Sequence, residues 1–267
     1  MALTDGTDGW QRAAGTGRPK HMSAEVVPAD VPARLQAVEA ASDRLLATVE
    51  GLSDAGFAER SVLPDWTRAH VVAHLALNAE GLAAALSGLA AGEPRPIYAS
   101  DEARDGDIDA LAATDPELVR VRLHTGVVAF ADAVRRMPTK SWSGTVDRLP
   151  GGPHLPALET LPMRHREVEI HHADLDAGYS HTDWPAPFVG DLLDVVARDQ
   201  SGSGPFTAVA TDLGRPWSVG EGDGPEVRGT GSALGWWLVG RGAGEGLTCE
   251  TGTLPELAPW RRTPRRT

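Results

Sequence analysis

Apolar residues recur every three to four positions in four long stretches of the chain, which is the pattern of amphipathic helices. The predicted helices cover about 33–52, 67–89, 116–137 and 157–177. Asp65 or Thr67 suits the cap of the second helix, Pro116 lies in the first turn of the third, and Gly178 ends the fourth. Four helices of this length predict a bundle with a buried site.

The stretches between these helices differ in composition. Residues 91–114 are rich in glycine, proline and aspartate and are predicted to form a long connection. A connection of that length is unusual unless it crosses the bundle or carries function. Residues 138–156 are predicted to be irregular as well.

After Trp184-Pro185 short runs replace the long helical pattern. Strands are predicted near 207–211, 217–219 and 247–250, and helices near 188–198 and 232–239. The predicted fold class is α+β. It consists of a disordered leader over 1–28, a metal-binding four-helix bundle over 29–180 and a smaller α+β domain with a basic tail over 181–267.

Charge restricts the partners of the protein. The chain carries 37 acidic and 25 basic residues, a net charge of −12, which repels nucleic acid and anionic lipid. The basic tail is the exception, and we interpret it as a solvated chain end. It contains Arg261, Arg262, Arg265 and Arg266. The charge therefore predicts no nucleic-acid and no membrane partner. We also expect small-molecule partners and a monomer.

The sequence also indicates a compartment. No apolar run approaches the roughly 18–20 residues that span a bilayer, and the N-terminal segment lacks the apolar stretch of a secretory signal. Cys249 is the only cysteine, which excludes an intramolecular disulfide. It lies in a strand-like run, where a buried structural thiol is expected. These features predict a cytoplasmic protein.

Two pairs of metal-binding residue types mark the candidate site. His70 and His74 are four residues apart on the second predicted helix, and Glu167 and His171 are four apart on the fourth. Each pair shares one helix face. Groups of this kind on facing helices hold metals in bundle cores, and two imidazoles with one carboxylate suit zinc or another borderline divalent ion. Solvated histidines are also common at this spacing, so spacing leaves both interpretations open.

Apolar neighbours rank the candidate ligands. The residues around His74 indicate that it lies deeper than His70, which is expected at the rim. His165, Glu169 and His172 fall on other faces of the fourth helix. They are predicted to be solvated or to lie outside the ligand set.

Four sequence blocks carry a resemblance that spacing could not supply. They read LPDWTRAHVVAHLALNAEGL, IYASDEARDGDID, MRHREVEIHHADLDAGY and SALGWWLVGR, in that order. Together they resemble the mycothiol-dependent maleylpyruvate isomerase family over about residues 30–245, within the broader DinB-like metal-binding superfamily. The resemblance implies that His74, Glu167 and His171 are metal ligands and that Arg104 is catalytic. It also implies that the C-terminal domain is similar in shape to sterol-carrier proteins.

The resemblance implies a reaction, the cis-to-trans isomerisation of the dicarboxylate maleylpyruvate to fumarylpyruvate. A double bond rotates only after it becomes single, which the addition of a thiolate allows and its elimination reverses. Because Cys249 is assigned a structural role, the thiol is external, and the resemblance supplies mycothiol. The metal, zinc or another divalent ion, would lower the pKa of this thiol, and Arg104 would hold a substrate carboxylate.

Two alternatives use the same residues. A mycothiol S-transferase would join the thiol to another electrophile in detoxification or natural-product biosynthesis, without collapse of the adduct. A metal-containing binding module would lack catalysis, and its small domain could take an apolar ligand.

Overall fold

The computed structural model describes residues 28–258 and residue 260. Within them the helices are α1 (Val31–Gly51), α2 (Asp54–Phe57), α3 (Arg68–Ala91), α4 (Asp101–Ala112), α5 (Pro116–Arg136), α6 (Thr160–Asp174), α7 (Ala186–Asp199) and α8 (Gly231–Leu238). The strands are β1 (Thr145–Asp147), β2 (His154–Pro156), β3 (Phe206–Ala210), β4 (Arg215–Val219), β5 (Glu226–Gly229) and β6 (Thr248–Cys249). The predicted leader, apart from Pro28, and the basic tail lie outside the described residues.

Helix α3 is the central element of the bundle and packs against α4, α5 and α6. Gly126 of α5 allows a close approach, because a Cβ atom there would lie 2.9 Å from the carbonyl oxygen of Ala76. No apolar run long enough to span a bilayer was expected, but α3 has the length and the composition of a membrane-spanning helix. However, 72% of that window is buried inside the protein, as in the core helix of a folded bundle.

Local capping sets the starts of the bundle helices. Thr67 and His70 form a capping box at the start of α3. Asp115 caps α5 by accepting a hydrogen bond from the Glu117 amide at 2.9 Å. The fourth predicted helix is shorter than expected, because residues 157–159 form a 3-10 turn and α6 covers only Thr160–Asp174.

Helix α4 corrects the prediction of a long connection over 91–114. Ser100 caps it by accepting a hydrogen bond from the Ala103 amide at 3.0 Å, and acidic residues follow in the first turn. Only Ile108 and Leu111 of this helix are buried. The sequence therefore lacked an apolar stripe, although the cap and first turn carried a helix signal.

A small hairpin corrects the prediction that 138–156 is irregular. Strands β1 and β2 pair antiparallel, with Val146 opposite Leu155. The amides of Ile97 and Tyr98 donate to the carbonyl oxygens of Asp147 and Arg148 at 2.9 and 3.0 Å. The hairpin thereby fixes the segment that precedes α4.

The C-terminal part contains a four-stranded sheet in the order β4-β3-β5-β6. Strands β3 and β5 are parallel, and the other neighbours are antiparallel. The sequence analysis missed β5, which is a short run with one buried residue, Val227. Helices α7 and α8 pack together beside this sheet, and their apolar core includes Ile170 and Ala173 of α6. The predicted α+β class is confirmed, and α6 contacts both parts.

Candidate metal centre

Helices α3 and α6 bring His74, Glu167 and His171 together. Glu167 Oε2 lies 2.8 Å from His74 Nε2 and 3.3 Å from His171 Nε2, and the three ligand atoms lie within 4.8 Å of one another. Metal–ligand bonds of about 2.0–2.2 Å separate neighbouring ligand atoms by roughly 3–3.5 Å. Three donor atoms of the types that zinc prefers therefore fit one divalent ion.

Protonation within this cluster follows from burial and its hydrogen bonds. Burial lowers the pKa of His74 to about 4, so its imidazole is neutral and keeps a lone pair. Burial alone would raise the pKa of Glu167, but hydrogen bonds from His171 and His74 outweigh it and hold the pKa well below its usual range. Burial opposes charge on His171, yet Asp174 and Glu167 raise its pKa. A metal ion therefore meets an anionic carboxylate beside the neutral imidazole of His74.

Asp174 orients His171 from the last turn of α6. Its Oδ2 lies 2.8 Å from His171 Nδ1, which directs Nε2 of the same ring toward Glu167. Asp174 is fully buried, and it also pairs with Arg241, which follows α8. Carboxylates at this position fix the tautomer and ring orientation of metal-binding histidines.

Arg104 of α4 lies directly beside the cluster. Its Nη2 is 3.3 Å from His74 Nδ1, and its Nη1 donates to Asp105 at 2.6 Å. A guanidinium can only donate, so Nδ1 of His74 is the acceptor. The sequence analysis named Arg104 from the resemblance alone, and the fold brings it to the predicted ligand.

Buried polar groups support the floor of the site. Arg164 is 1% exposed, and its Nη1 donates to Asn78 Oδ1 at 2.8 Å and to Leu75 O at 2.9 Å. Asn78 in turn donates to the Tyr98 hydroxyl at 3.1 Å. The Tyr98 ring lies under two guanidinium groups, with its centroid 5.7 Å from Arg104 Cζ and 5.4 Å from Arg148 Cζ. The sequence analysis assigned none of these supporting residues.

A cavity of about 720 Å³ opens above the cluster. Its apolar wall includes Trp66, Ile97 and Met163. The described basic residues that line it are Arg104, Arg148, Arg166 and Arg241. This volume lies in the range of small-molecule sites. The four arginines outnumber the three acidic residues that line the same cavity, Asp101, Glu159 and Glu167, so the lining has a small excess of positive charge in an acidic protein.

His165, Glu169 and His172 were predicted to be solvated or to lie outside the ligand set. Solvation is wrong for Glu169 and His172. Glu169 is 0% exposed and His172 1%, because α1 and residues 179–184 cover this face of α6. Glu169 accepts hydrogen bonds from Arg44 at 2.6 Å and from the Tyr179 hydroxyl at 2.5 Å. His165 keeps a half-buried side chain, with Nε2 3.6 Å from Glu169.

Two other candidates behave differently. His70 is half-buried and is absent from the described residues that line the cavity, and its Nδ1 accepts from the Thr67 amide at 3.2 Å. Cys249 is half-buried rather than buried. Its Sγ lies 3.1 Å from Thr251 Oγ1, and it is absent from the described residues that line the cavity.

These features define a class: a helical-bundle protein with a His-Glu-His candidate metal centre, joined to a small α+β domain. The family model of the mycothiol maleylpyruvate isomerase N-terminal domain matches residues 38–176, just over half of the chain. The chain therefore belongs to this family, and the resemblance found in the sequence is confirmed.

Two solved structures are similar over most of the chain. One is a crystal structure of the mycothiol-dependent maleylpyruvate isomerase, with 29% identity, a TM-score of 0.80, and coverage of 86% of this chain and 97% of that chain. The other is a histidine-to-alanine mutant of that isomerase, with 28% identity and the same TM-score and coverage. No curated protein matches the chain. The similar structures are those of enzymes, which supports an enzyme here.

Proposed function

We propose that the protein is a mycothiol-dependent cis–trans isomerase that converts maleylpyruvate to fumarylpyruvate at a divalent metal held by His74, Glu167 and His171. The contact between Arg104 and His74 carries this proposal. It brings a carboxylate-binding group within 3.3 Å of a candidate ligand, in a cavity of suitable size. Membership of the family and the two similar structures support the same reaction.

The bound groups would supply the thiolate chemistry. An ion such as zinc, held by His74, Glu167 and His171, would lower the pKa of the mycothiol thiol and so supply the thiolate that the isomerisation requires. Cys249 is not among the described residues lining the cavity, so it is not proposed as the nucleophile. The protein's own residues bind the substrate, orient it and exclude water.

Arg104 is proposed to bind a substrate carboxylate and to stabilise the negative charge that develops during addition. A cation held by His74 through Nε2 would leave the ring proton on Nδ1, so Nδ1 would no longer accept from Arg104. Nη2 of Arg104 would then be available for an anion. Metal loading and substrate binding would thereby be linked through one histidine ring.

A second arginine supports a substrate with two carboxylates. Arg148 lies over the Tyr98 ring, as Arg104 does, and it pairs with Asp101 at 2.8 Å on the cavity rim. Two guanidinium groups over one aromatic ring offer a partner to each carboxylate of such a substrate. This feature favours an anionic substrate over a neutral electrophile.

The compartment and partners follow from the same proposal. A thiol-dependent reaction requires a reducing environment, and the lone cysteine fits the cytoplasm. Maleylpyruvate and mycothiol are the proposed small-molecule partners. Neither nucleic acid nor membrane is proposed, and the protein is proposed to act as a monomer.

One assay separates the candidate functions. Zinc-loaded protein is mixed with maleylpyruvate, with and without a small amount of mycothiol, while the ultraviolet spectrum reports fumarylpyruvate. We expect product only with mycothiol, and many turnovers per thiol because elimination returns it. Glutathione in place of mycothiol is the matched thiol control.

Each other result contradicts the proposal in a recognisable way. Consumption of one mycothiol per substrate, with a stable adduct, would identify an S-transferase. No reaction with maleylpyruvate or with test electrophiles, despite bound metal, would favour a binding module.

A further inference from the structure

The carboxylate of Asp174 lies between the bundle and the small domain. We propose that Asp174 and Arg241 are a positioning pair through which the small domain sets the affinity of the metal centre. This inference rests on the metal-dependent function proposed above. It gives Asp174, Arg241 and the small domain a part in metal binding, in addition to the three ligands.

The bundle end of the pair is the hydrogen bond to His171. Asp174 Oδ2 lies 2.8 Å from His171 Nδ1, three residues away on the last turn of α6. The side chain of Asp174 is 0% exposed, so water does not compete for this oxygen. With Nδ1 held as the donor to Asp174, Nε2 of the same ring is directed toward Glu167 and the candidate ion.

The small-domain end is a two-pronged ion pair. Arg241 Nε donates to Asp174 Oδ1 at 2.9 Å, and its Nη2 donates to Oδ2 at 3.0 Å. This fork matches the planar carboxylate and leaves it little freedom to rotate. Asp174 therefore presents Oδ2 to His171 in one orientation, which Arg241 determines.

Arg241 is itself fixed by the small domain. It follows α8 through Gly240, which has a φ of 76°, and its amide donates to Trp236 O at 3.0 Å. Its Nη1 donates to Val239 O at 3.2 Å. The guanidinium thus has contacts on both sides, to the helix end behind it and to Asp174 in front.

The arrangement makes metal affinity depend on one contact of the small domain, that of Arg241 with Asp174. Arg241 also lines the cavity, so a ligand that displaces Arg241 displaces the group that orients Asp174. Loss of Arg241 leaves a buried carboxylate with His171 as its remaining charged partner among the described contacts. By linkage, binding of the metal favours the contact between Arg241 and Asp174, and this contact favours the metal.

The test measures the zinc dissociation constant of full-length protein by chelator competition. We expect Arg241→Met and Asp174→Asn each to weaken zinc binding about 10- to 100-fold, the usual effect of losing such a supporting group. The double variant should bind about as weakly as either single variant, because both act through one orientation of His171. Arg241→Lys, which keeps the charge without the fork, should show an intermediate loss.

Two controls separate positioning from loosening of the interface. Trp184→Phe removes a hydrogen bond of 3.1 Å from Trp184 Nε1 to Glu169 O at the same domain contact. Arg215→Met removes a surface pair with Asp194 in the small domain. Both should keep the zinc affinity, and the absorption spectrum of their cobalt-substituted forms should match the parent, whereas that of Arg241→Met should change.

Three results would overturn the inference. Folded Arg241→Met with parental zinc affinity would exclude the pair, and so would Trp184→Phe that weakens zinc as much as Arg241→Met. A parent protein that binds no divalent ion would overturn the metal proposal together with this inference. Inactivity toward maleylpyruvate, with the coupling intact, would contradict only the proposed substrate.

Discussion

The two faces of α6 carry the same residue types in different surroundings. On one face Glu167 and His171 meet His74 under a cavity. On the other face Glu169 and His172 are buried against α1 and the segment that follows α6. Each face offers a carboxylate and an imidazole, so residue type alone does not distinguish them.

The partners of each carboxylate make the difference. Both oxygens of Glu169 are occupied by donors, one from Arg44 and one from Tyr179. Oε2 of Glu167 instead accepts hydrogen bonds from two imidazole nitrogens, and each of these can bind an ion in place of its proton. The first carboxylate is satisfied by the protein, and the second forms a ligand set open to the cavity.

The largest predicted effect comes from replacing the glutamate of each face by alanine and comparing zinc content. Glu167→Ala should abolish stoichiometric zinc, measured by elemental analysis, because two imidazoles remain. Glu169→Ala should retain zinc but lower the free energy of unfolding by about 2–3 kcal/mol in urea titration, because buried donors lose their acceptor. Solvent screening of the partly exposed Arg44 side chain limits this loss. Zinc retained in Glu167→Ala, or lost in folded Glu169→Ala, would contradict the comparison.

The next effect concerns turnover without metal loss. Arg104→Ala should keep zinc, because Arg104 is not a ligand, while kcat/KM for maleylpyruvate falls by about 100-fold or more. Arg95→Ala is the matched control, since Arg95 is exposed and pairs only loosely with Glu93. Near-parental turnover in Arg104→Ala would remove this residue from the proposed mechanism.

The smallest predicted effect is a pH dependence of stability that arises from His172, on the second face. Burial lowers the pKa of His172 from 6.5 to about 4, with Glu169 and Arg44 as its charged neighbours. Between these values the unfolded chain binds a proton that the folded protein does not, so stability falls as pH drops from about 6.5 to about 4.

Replacement of the titrating ring tests this effect in zinc-loaded protein. His172→Gln should reduce the proton uptake on unfolding at pH 5 by close to one, obtained from the slope of unfolding free energy against pH. An unchanged slope would assign the acid sensitivity to other groups.

Local signals explain which elements were predicted correctly. The Asp115-Pro116 start and the apolar residues of α5 are encoded within a few neighbouring positions, and the long helices followed from them. Helix α4 was missed because only Ile108 and Leu111 face the core. Strand β5 was missed because its place between β3 and β6 depends on pairing with distant residues.

The sequence alone determined that Glu167 and His171 share one face of their helix and that His74 lies deeper than His70, because helical spacing and apolar neighbours are local properties. Only the tertiary structure decided that His171 is held by Asp174 and Arg241, that Arg104 reaches His74, and that Glu169 and His172 are buried. These contacts join residues of different helices and of both domains. Their geometry arises from packing, which no periodic pattern in one segment encodes.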